Sequence, residues 1–101
     1  MATPESKVKK RVVEILKRHG AYYFYPVTGG YGRSGVPDIV ACYRGRFLGI
    51  ECKAGKGTTT ALQEKNLQEI TANGGVAVVV NEHTVEDFAE LMKAASESTT
   101  K

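Results

Sequence analysis

Two acidic residues and a lysine lie at the ends of two strand-like segments in the middle of the chain. Asp38 precedes the apolar run "IVACY", and Glu51 and Lys53 close the run "RFLGIECK". Carboxylate oxygens are the ligands that Mg²⁺ prefers, and a bound divalent metal stabilises charge on a phosphate and acidifies a water. Two carboxylates and a lysine in this order therefore suit metal-assisted hydrolysis of a phosphodiester.

The short connection between these two segments predicts a β-hairpin and fixes its register. If the Arg-Gly pair between them forms a two-residue turn, Tyr43 pairs with Arg46 and Asp38 lies opposite Glu51. Opposed side chains share one sheet face at about 5 Å, so two carboxylates there repel each other unless a cation lies between them. Strand alternation puts Lys53 on the same face. The residues alone leave a simpler alternative open, in which Lys53 only pairs with one of the carboxylates.

Length and composition restrict the class of protein that could hold such a site. The chain has 101 residues and a net charge of +3, which favours one domain and permits a polyanionic partner without requiring one. We predict a domain at residues 1 to 95 and a disordered tail at 96 to 101. No segment resembles a signal peptide or a membrane span, so we expect a cytoplasmic protein. Cys42 and Cys52 lack metal-ligand spacing and are predicted to be buried free thiols.

The pattern of apolar residues predicts an α/β fold with the element order α-β-β-β-α-β-α. The predicted helices and strands are a helix at 3 to 18, strands at 21 to 27, 38 to 43 and 46 to 53, a helix at 59 to 73, a strand at 76 to 81 and a helix at 84 to 94. "TGGYGRSGVP" is a glycine-rich loop, and "TVED" matches a capping box. The uniformly apolar "VAVVVN" predicts a strand inside a mixed sheet that is covered by helices.

The order of these motifs resembles the VRR-NUC family of the PD-(D/E)xK nuclease superfamily. The resemblance rests on "PESKV", the glycine-rich loop, "GVPDIV", "GIECK", "TALQ" and "NGGVAVVV", and it extends from Glu5 to Val80. It implies an α-β-β-β-α-β nuclease core, here followed by a C-terminal helix. It also implies a divalent-metal-dependent DNA endonuclease that uses Mg²⁺ or Mn²⁺.

The resemblance assigns roles to individual residues of this sequence. It implies that the metal is bound by Asp38, Glu51, the backbone carbonyl of Cys52 and Glu5, and that Lys53 is catalytic. A glutamate at the start of a helix also interacts favourably with the helix dipole, which alone would explain Glu5. Glu14 is the alternative acid if the first helix aligns differently with the family.

Gln63 matches the family's glutamine in the helix that follows the lysine. It lies four residues before Leu67 and seven before Ile70, so it is a polar side chain on an apolar stripe and needs a partner. It is either a satisfied buried amide or a group that positions Lys53, a water or the phosphate.

Basic and aromatic residues outside this set could contact nucleic acid. Arg33 in the glycine-rich loop is the best candidate, with Ser34 and Lys56 behind it. Arg44 and Arg46 are also expected to flank the site. The cations of the first helix could form a solvated face only. The aromatic residues at 22 to 25 and Tyr31 could stack on bases, although the alternation of the first four favours positions in the core.

The resemblance to the VRR-NUC family favours an endonuclease that acts on branched DNA such as four-way (Holliday) junctions, because stand-alone domains of this size resemble junction-resolving nucleases in having no accessory domain. A single small domain has little surface for grasping a long substrate, whereas a two-fold homodimer would present two sites to two strands. The alternatives are a non-catalytic nucleic-acid-binding module with the nuclease fold and a nuclease that acts on linear DNA or RNA.

Overall fold

The computed structural model describes residues 3–27, 30 and 32–97 and has the predicted order of elements. The elements are α1 (Pro4–His19), β1 (Tyr22–Phe24), β2 (Ile39–Tyr43), β3 (Arg46–Cys52), α2 (Ala61–Ala72), β4 (Val76–Val80) and α3 (Val85–Glu97). This order confirms the predicted α/β class. None of the helices within the described residues is long and apolar enough to cross a membrane.

Helix α1 begins and ends at the residues that its sequence predicts. The Thr3 side chain accepts a hydrogen bond from the Ser6 amide at 3.1 Å, which caps the N-terminus. Gly20 ends the helix with a φ of 73°, a left-handed conformation that glycine adopts without steric cost. Between them, the fully buried Val12 and Leu16 face the sheet.

The four strands form one sheet in the order β1-β2-β3-β4, with β1 to β3 antiparallel and β4 parallel to β3. Tyr43 pairs with Arg46 and Ile39 with Ile50, which confirms the predicted hairpin register. The prediction that β4 lies inside the sheet was wrong, since β4 is an edge of the described sheet. Its apolar sequence arises because α2 packs against it on one sheet face and the hydrophobic core on the other.

The two faces of the sheet are covered by different helices. On the core face, α1 and α3 cover a row of buried side chains that includes Ile39, Leu48 and Ile50. On the opposite face, which we call the α2 face, α2 packs over β3 and β4. A side chain at Gly49 would overlap Ile70 of α2 and lie 3.0 Å from Pro37, so the glycine permits the close approach of this helix.

The α2 face is open above β1 and β2, where two expectations from the sequence were wrong. Tyr22 is 70% exposed and Phe24 45%, although alternation had favoured core positions for the aromatic residues. Cys42, paired with Tyr22, is exposed, whereas Cys52 is buried as predicted; both are free thiols. The physical reason is that α2 covers only the half of this face that β3 and β4 form.

The remaining differences concern the ends of elements. Helix α3 ends at Glu97, so the first two residues of the predicted tail are helical, and residues 98 to 101 lie outside the described residues. Thr28, Gly29 and Tyr31 of the glycine-rich loop also lie outside them. Thr84 opens the predicted "TVED" capping box, and its hydroxyl accepts a hydrogen bond from the backbone amide of Asn81 at 2.9 Å.

Candidate active site

Asp38, Glu51 and Lys53 lie together at the open end of the β2–β3 hairpin. The Glu51 side chain is 2% exposed, and the Nζ of Lys53 lies 3.5 Å from its Oε2. Asp38 immediately precedes β2, and its Oδ2 accepts a hydrogen bond from the Cys52 amide at 2.9 Å. The hairpin thus holds both carboxylates through its own register and one additional backbone contact.

Burial gives Glu51 an unusual protonation equilibrium. The pKa of its carboxyl is raised from 4.5 to about 7, first by burial and then by the negative charge of Asp38, while Lys53 acts in the opposite direction. Its Oε1 has no hydrogen-bond partner within the described residues although it is buried. A buried carboxylate with one unsatisfied oxygen is stabilised by a cation, and an unpaired polar atom in this position is rare.

Gln63 holds the other oxygen of Glu51 from the first turn of α2. Its Nε2 donates to Glu51 Oε2 at 2.9 Å, and its Oε1 accepts from the Thr60 amide at 2.9 Å. The Thr60 hydroxyl in turn accepts from the Gln63 amide at 3.1 Å, which completes a capping box. Gln63 is therefore on the site, as predicted, and its partner is the carboxylate of Glu51.

Sequence reasoning missed Thr60 and Asn66, which fix this end of α2. The "TALQ" segment has the spacing of a capping box, which would have identified Thr60. Asn66 lies three residues after Gln63, so it shares the apolar stripe on which Gln63 was noticed. It is 6% exposed and donates to the Ser34 carbonyl at 3.0 Å, which ties the loop before β2 to α2.

The donor set fits a hard divalent cation that keeps several waters. Within the described residues no group of three or more histidine, cysteine, aspartate or glutamate side chains is close enough to hold a metal. Mg²⁺ is commonly bound by one or two carboxylates together with waters and substrate phosphate. Asp38 and Glu51, with the unsatisfied oxygen of Glu51, match that requirement, whereas a structural zinc site needs four protein ligands.

The thiol of Cys52 is not a plausible metal ligand. Cys52 points to the core face and is fully buried, and burial followed by the charge of Asp38 raises its pKa to about 12. Because strand alternation puts this side chain on the opposite sheet face from that of Glu51, the thiol is directed away from the site. This leaves the backbone carbonyl as the group by which Cys52 could act.

Of the two candidate acids on α1, Glu5 lies toward the site. It lines a cleft of about 470 Å³ with Lys9 and Ala54, the residue after Lys53, and its charge raises the pKa of Glu51. Glu14 lies two turns further along α1 and contacts Arg11 at 3.7 Å. Glu5 therefore lies on the side of α1 toward the carboxylate pair, whereas Glu14 lines a different cleft.

The predicted nucleic-acid contacts do not all lie at the site, since Arg33 lines a cleft with Phe47 and Gly75 toward the turn of the hairpin. Arg33 lies on the outer side of α2, where its guanidinium bonds Glu69 at 2.9 Å. Ser34 and Lys56 are both exposed. Glu82 accepts the Gly55 amide at 2.9 and 3.1 Å, which holds the loop that carries Lys56.

The expectation that Arg44 and Arg46 flank the site was wrong. Both lie at the turn of the hairpin, and β3 extends from Arg46 to Cys52, a distance of about 20 Å at the rise of an extended strand. They line a different cleft, between the sheet and the end of α3. Adjacency in sequence to the apolar runs was misleading because an antiparallel hairpin places its turn and its open end at opposite ends of the sheet.

Comparisons with known proteins agree with this geometry. A family model described as archaeal Holliday junction resolvase (hjc) matches residues 5–97. Among solved structures, one titled "VRR_NUC domain" is 24% identical, covers 88% of this chain and 97% of its own, and superposes with a TM-score of 0.72. Another, titled "VRR_NUC domain protein", is 18% identical, covers 93% of this chain and 88% of its own, and has a TM-score of 0.66. No curated protein matches the sequence. The fold is therefore that of a VRR-NUC nuclease of the PD-(D/E)xK type, as the sequence predicted.

Proposed function

We propose that this chain, which belongs to the archaeal Holliday junction resolvase (hjc) family, is a divalent-metal-dependent endonuclease that hydrolyses phosphodiester bonds in DNA. The observation that carries the proposal is the unsatisfied buried oxygen of Glu51 beside Asp38, with Lys53 and Gln63 on the other oxygen. A purely structural ion pair would not need a buried carboxylate that has one oxygen without a partner.

Asp38, Glu51, the Cys52 carbonyl and Glu5 would hold Mg²⁺ or Mn²⁺ in this proposal. When bound, the metal supplies stabilisation of the charge that develops on the scissile phosphate and acidifies a nearby water. Gln63 keeps Glu51 in one orientation, because its amide is itself fixed by Thr60. The side chain of Lys53 is 14% exposed, so its ammonium can donate a hydrogen bond to the attacking water or to the phosphate while it still neutralises Glu51.

Arg33, Ser34 and Lys56 would contact phosphates of the substrate. The ion pair of Arg33 with Glu69 joins two exposed side chains and is worth little, so a phosphate can replace Glu69 as the partner. Lys56 belongs to the loop directly after Lys53 and is exposed, which supports a contact with the substrate. Contacts of this kind depend on DNA shape more than on sequence, and they weaken steeply with salt.

We also propose that the active species is a homodimer that acts on branched DNA, in particular four-way junctions. Family membership supports this substrate class. Support for self-association comes from the open part of the α2 face, where Tyr22, Phe24 and Phe47 are 70%, 45% and 45% exposed. Sedimentation of the wild type and of Phe47→Glu tests this point, because a charge in the dimer interface should dissociate the dimer, whereas a monomeric wild type would reject it.

A cleavage panel with purified protein tests the function. Immobile four-way junctions, flaps, linear duplex and single strands are incubated with Mg²⁺, Mn²⁺ or chelator. We expect metal-dependent cutting with a preference for the junction over linear duplex at equal enzyme concentration. Equal cutting of both would leave a general endonuclease, and junction binding without cutting in either metal would leave a binding module.

A further inference from the structure

A groove leads away from the candidate active site along the exposed side of α1. Its first part is the cleft of about 470 Å³ that Glu5 and Ala54 line. A second cleft of about 350 Å³ follows, lined by Lys10, Lys17 and Tyr25. Both clefts are also lined by Ser6 and Lys9, so they are continuous. We call the combined surface the α1 groove.

An aromatic ring and a cation meet in the middle of this groove. The Nζ of Lys9 lies 5.8 Å from the centroid of the Tyr25 ring, within the range of a cation–π contact. Tyr23 packs edge-on against Tyr25 with centroids 6.1 Å apart, which braces the ring from the sheet. Tyr25 is nevertheless 48% exposed. The ring is thus held in position and remains accessible from the groove.

The groove carries an excess of positive charge in its second cleft, which three lysines and one glutamate line. Lys9, Lys10 and Lys17 form no ion pair with any side chain in the part of the chain that the structure describes. The one acidic side chain among the lining residues beyond Glu5 is Glu14, which contacts Arg11. Lys9 and Lys17 are separated by eight residues on one helix, or about 12 Å along its axis. That length can accommodate more than one backbone phosphate of a nucleic acid strand.

We propose that the α1 groove binds a single strand of the substrate next to the scissile phosphate, with an unpaired base stacked on Tyr25 and phosphates on the lysines. Grooves that combine lysines with a stacking ring are how proteins hold single strands without reading sequence. A base inside a duplex already has its faces covered by its neighbours, so Tyr25 can stack only on a base that has left the helix. The inference rests on the proposed nuclease function and adds to it that a base next to the branch of a four-way junction leaves the helix on binding, whereas a flap offers an unpaired strand from the start.

The test compares two substitutions of Tyr25, one that removes the ring and one that keeps it. Binding of a fluorescent single-stranded oligonucleotide is measured by anisotropy in the presence of chelator, so that no cutting occurs. Tyr25→Ala should weaken binding by about tenfold, the usual loss of one base stack. Tyr25→Phe is the matched control and should bind like the wild type, because it keeps the stacking ring. Equal affinities of Tyr25→Ala and Tyr25→Phe would overturn the proposal.

The lysines give an independent readout through salt. Lys17→Ala should reduce the slope of log affinity against log salt for the single strand by about 0.7, the value for one phosphate contact. Lys93→Ala removes an exposed lysine of α3 and serves as the control. An unchanged slope in Lys17→Ala would contradict the assignment of phosphates to the groove.

The outcomes separate this inference from the proposed function. If the protein cuts DNA but Tyr25→Ala binds single strands like Tyr25→Phe, the groove proposal fails and the nuclease proposal stands. If no DNA is cut in Mg²⁺ or Mn²⁺ while Tyr25→Ala loses affinity, the groove stands as a binding surface and the nuclease proposal fails.

Discussion

The two ends of the β2–β3 hairpin carry charged residues in very different surroundings. At the open end, the side chain of Glu51 is 2% exposed and that of Lys53 is 14% exposed, and the two side chains contact each other. At the turn, Arg44 and Arg46 are exposed and form no ion pair with any described residue. Both ends belong to the same two strands and were equally close to apolar runs in the sequence.

The difference arises from what covers each end. The N-terminus of α2 brings Gln63 onto Glu51, and the start of α1 brings Glu5 to the same end. Burial then changes the chemistry, because it raises the pKa of the Glu51 carboxyl to about 7 and leaves one oxygen without a partner. A charged residue on a strand thus becomes a candidate catalytic group through the helices that pack over it, and the strand alone does not decide this.

The largest contrast between the two ends is expected in cleavage. Lys53→Ala should lower the cleavage rate of a junction by roughly 10² or more, since it removes the group placed to act on the attacking water. Its affinity for the uncut junction in chelator should stay within a few-fold of wild type. Single-turnover kinetics and anisotropy measure the two quantities separately.

Two further variants calibrate this result. Arg46→Ala at the turn should cut at close to the wild-type rate, and Gln63→Ala should fall between wild type and Lys53→Ala, because it only orients Glu51. Full activity of Lys53→Ala would reject the proposed mechanism. A loss in Arg46→Ala as large as in Lys53→Ala would reject the distinction between the two ends.

The second expected contrast is in stabilisation by metal. Mg²⁺ or Mn²⁺ should raise the melting temperature, because a ligand bound only by the folded state stabilises it, and Asp38→Asn should remove most of that gain. Asp87→Asn, in the first turn of α3, is the control and should keep it. An undiminished gain in Asp38→Asn, measured by calorimetry, would place the metal elsewhere.

The third expected contrast is in how the stability of the protein depends on pH, and the direction of this dependence can be derived. With its pKa raised from 4.5 to about 7 in the folded state, Glu51 contributes stability that is complete below pH 4.5 and is lost as the pH rises through about 7. The loss in free energy of unfolding is on the order of 3 kcal/mol, from about 1.4 kcal/mol per pH unit between the two pKa values. Melting curves in chelator should therefore show a steeper decline between these pH values in wild type than in Glu51→Gln. Parallel declines in the two proteins would show that Glu51 has an ordinary pKa.

The smallest effect is expected at the turn. Arg44 has a φ of 51°, a left-handed conformation that asparagine and glycine adopt more readily. Arg44→Asn should increase stability by about 0.5 to 1 kcal/mol, which shifts the melting temperature by a few degrees. Arg46→Asn, at a position where φ is not positive, should give no increase. A lower melting temperature for Arg44→Asn would mean that the arginine makes a stabilising contact in solution.

The sequence was sufficient for the elements and for the hairpin that holds the site. Helix caps, strand alternation and a two-residue turn are local signals, and they predicted α1, the register of β2 with β3, and the meeting of Asp38 with Glu51 and Lys53. Gln63 was identified by the resemblance to the VRR-NUC family and supported by its position on an apolar stripe, and its partner is Glu51.

The features that could not be predicted from the sequence depend on which helix covers which part of the sheet. The edge position of β4, the exposure of Tyr22 and Cys42, and the pairing of Arg33 with Glu69 all follow from where α2 lies. That placement is set by contacts between segments distant in sequence, such as Gly49 against Ile70, and no local pattern reports it. The hydrogen bond of the Cys52 amide to Asp38 lies within the hairpin and depends on the conformation of the Asp38 side chain, which strand register alone does not fix.

The connection between β3 and β4 also determines when the site can become complete during folding. The β2–β3 hairpin is closed by a turn of two residues. The parallel pairing of β3 with β4 can form only after residues 53 to 75 have crossed over the sheet. Contacts that close short loops form earlier than those that close long ones. We expect Asp38 and Glu51 to meet first and Gln63 to arrive with the crossover. In refolding experiments, cleavage activity should then appear only with the last kinetic phase, after the hairpin has formed.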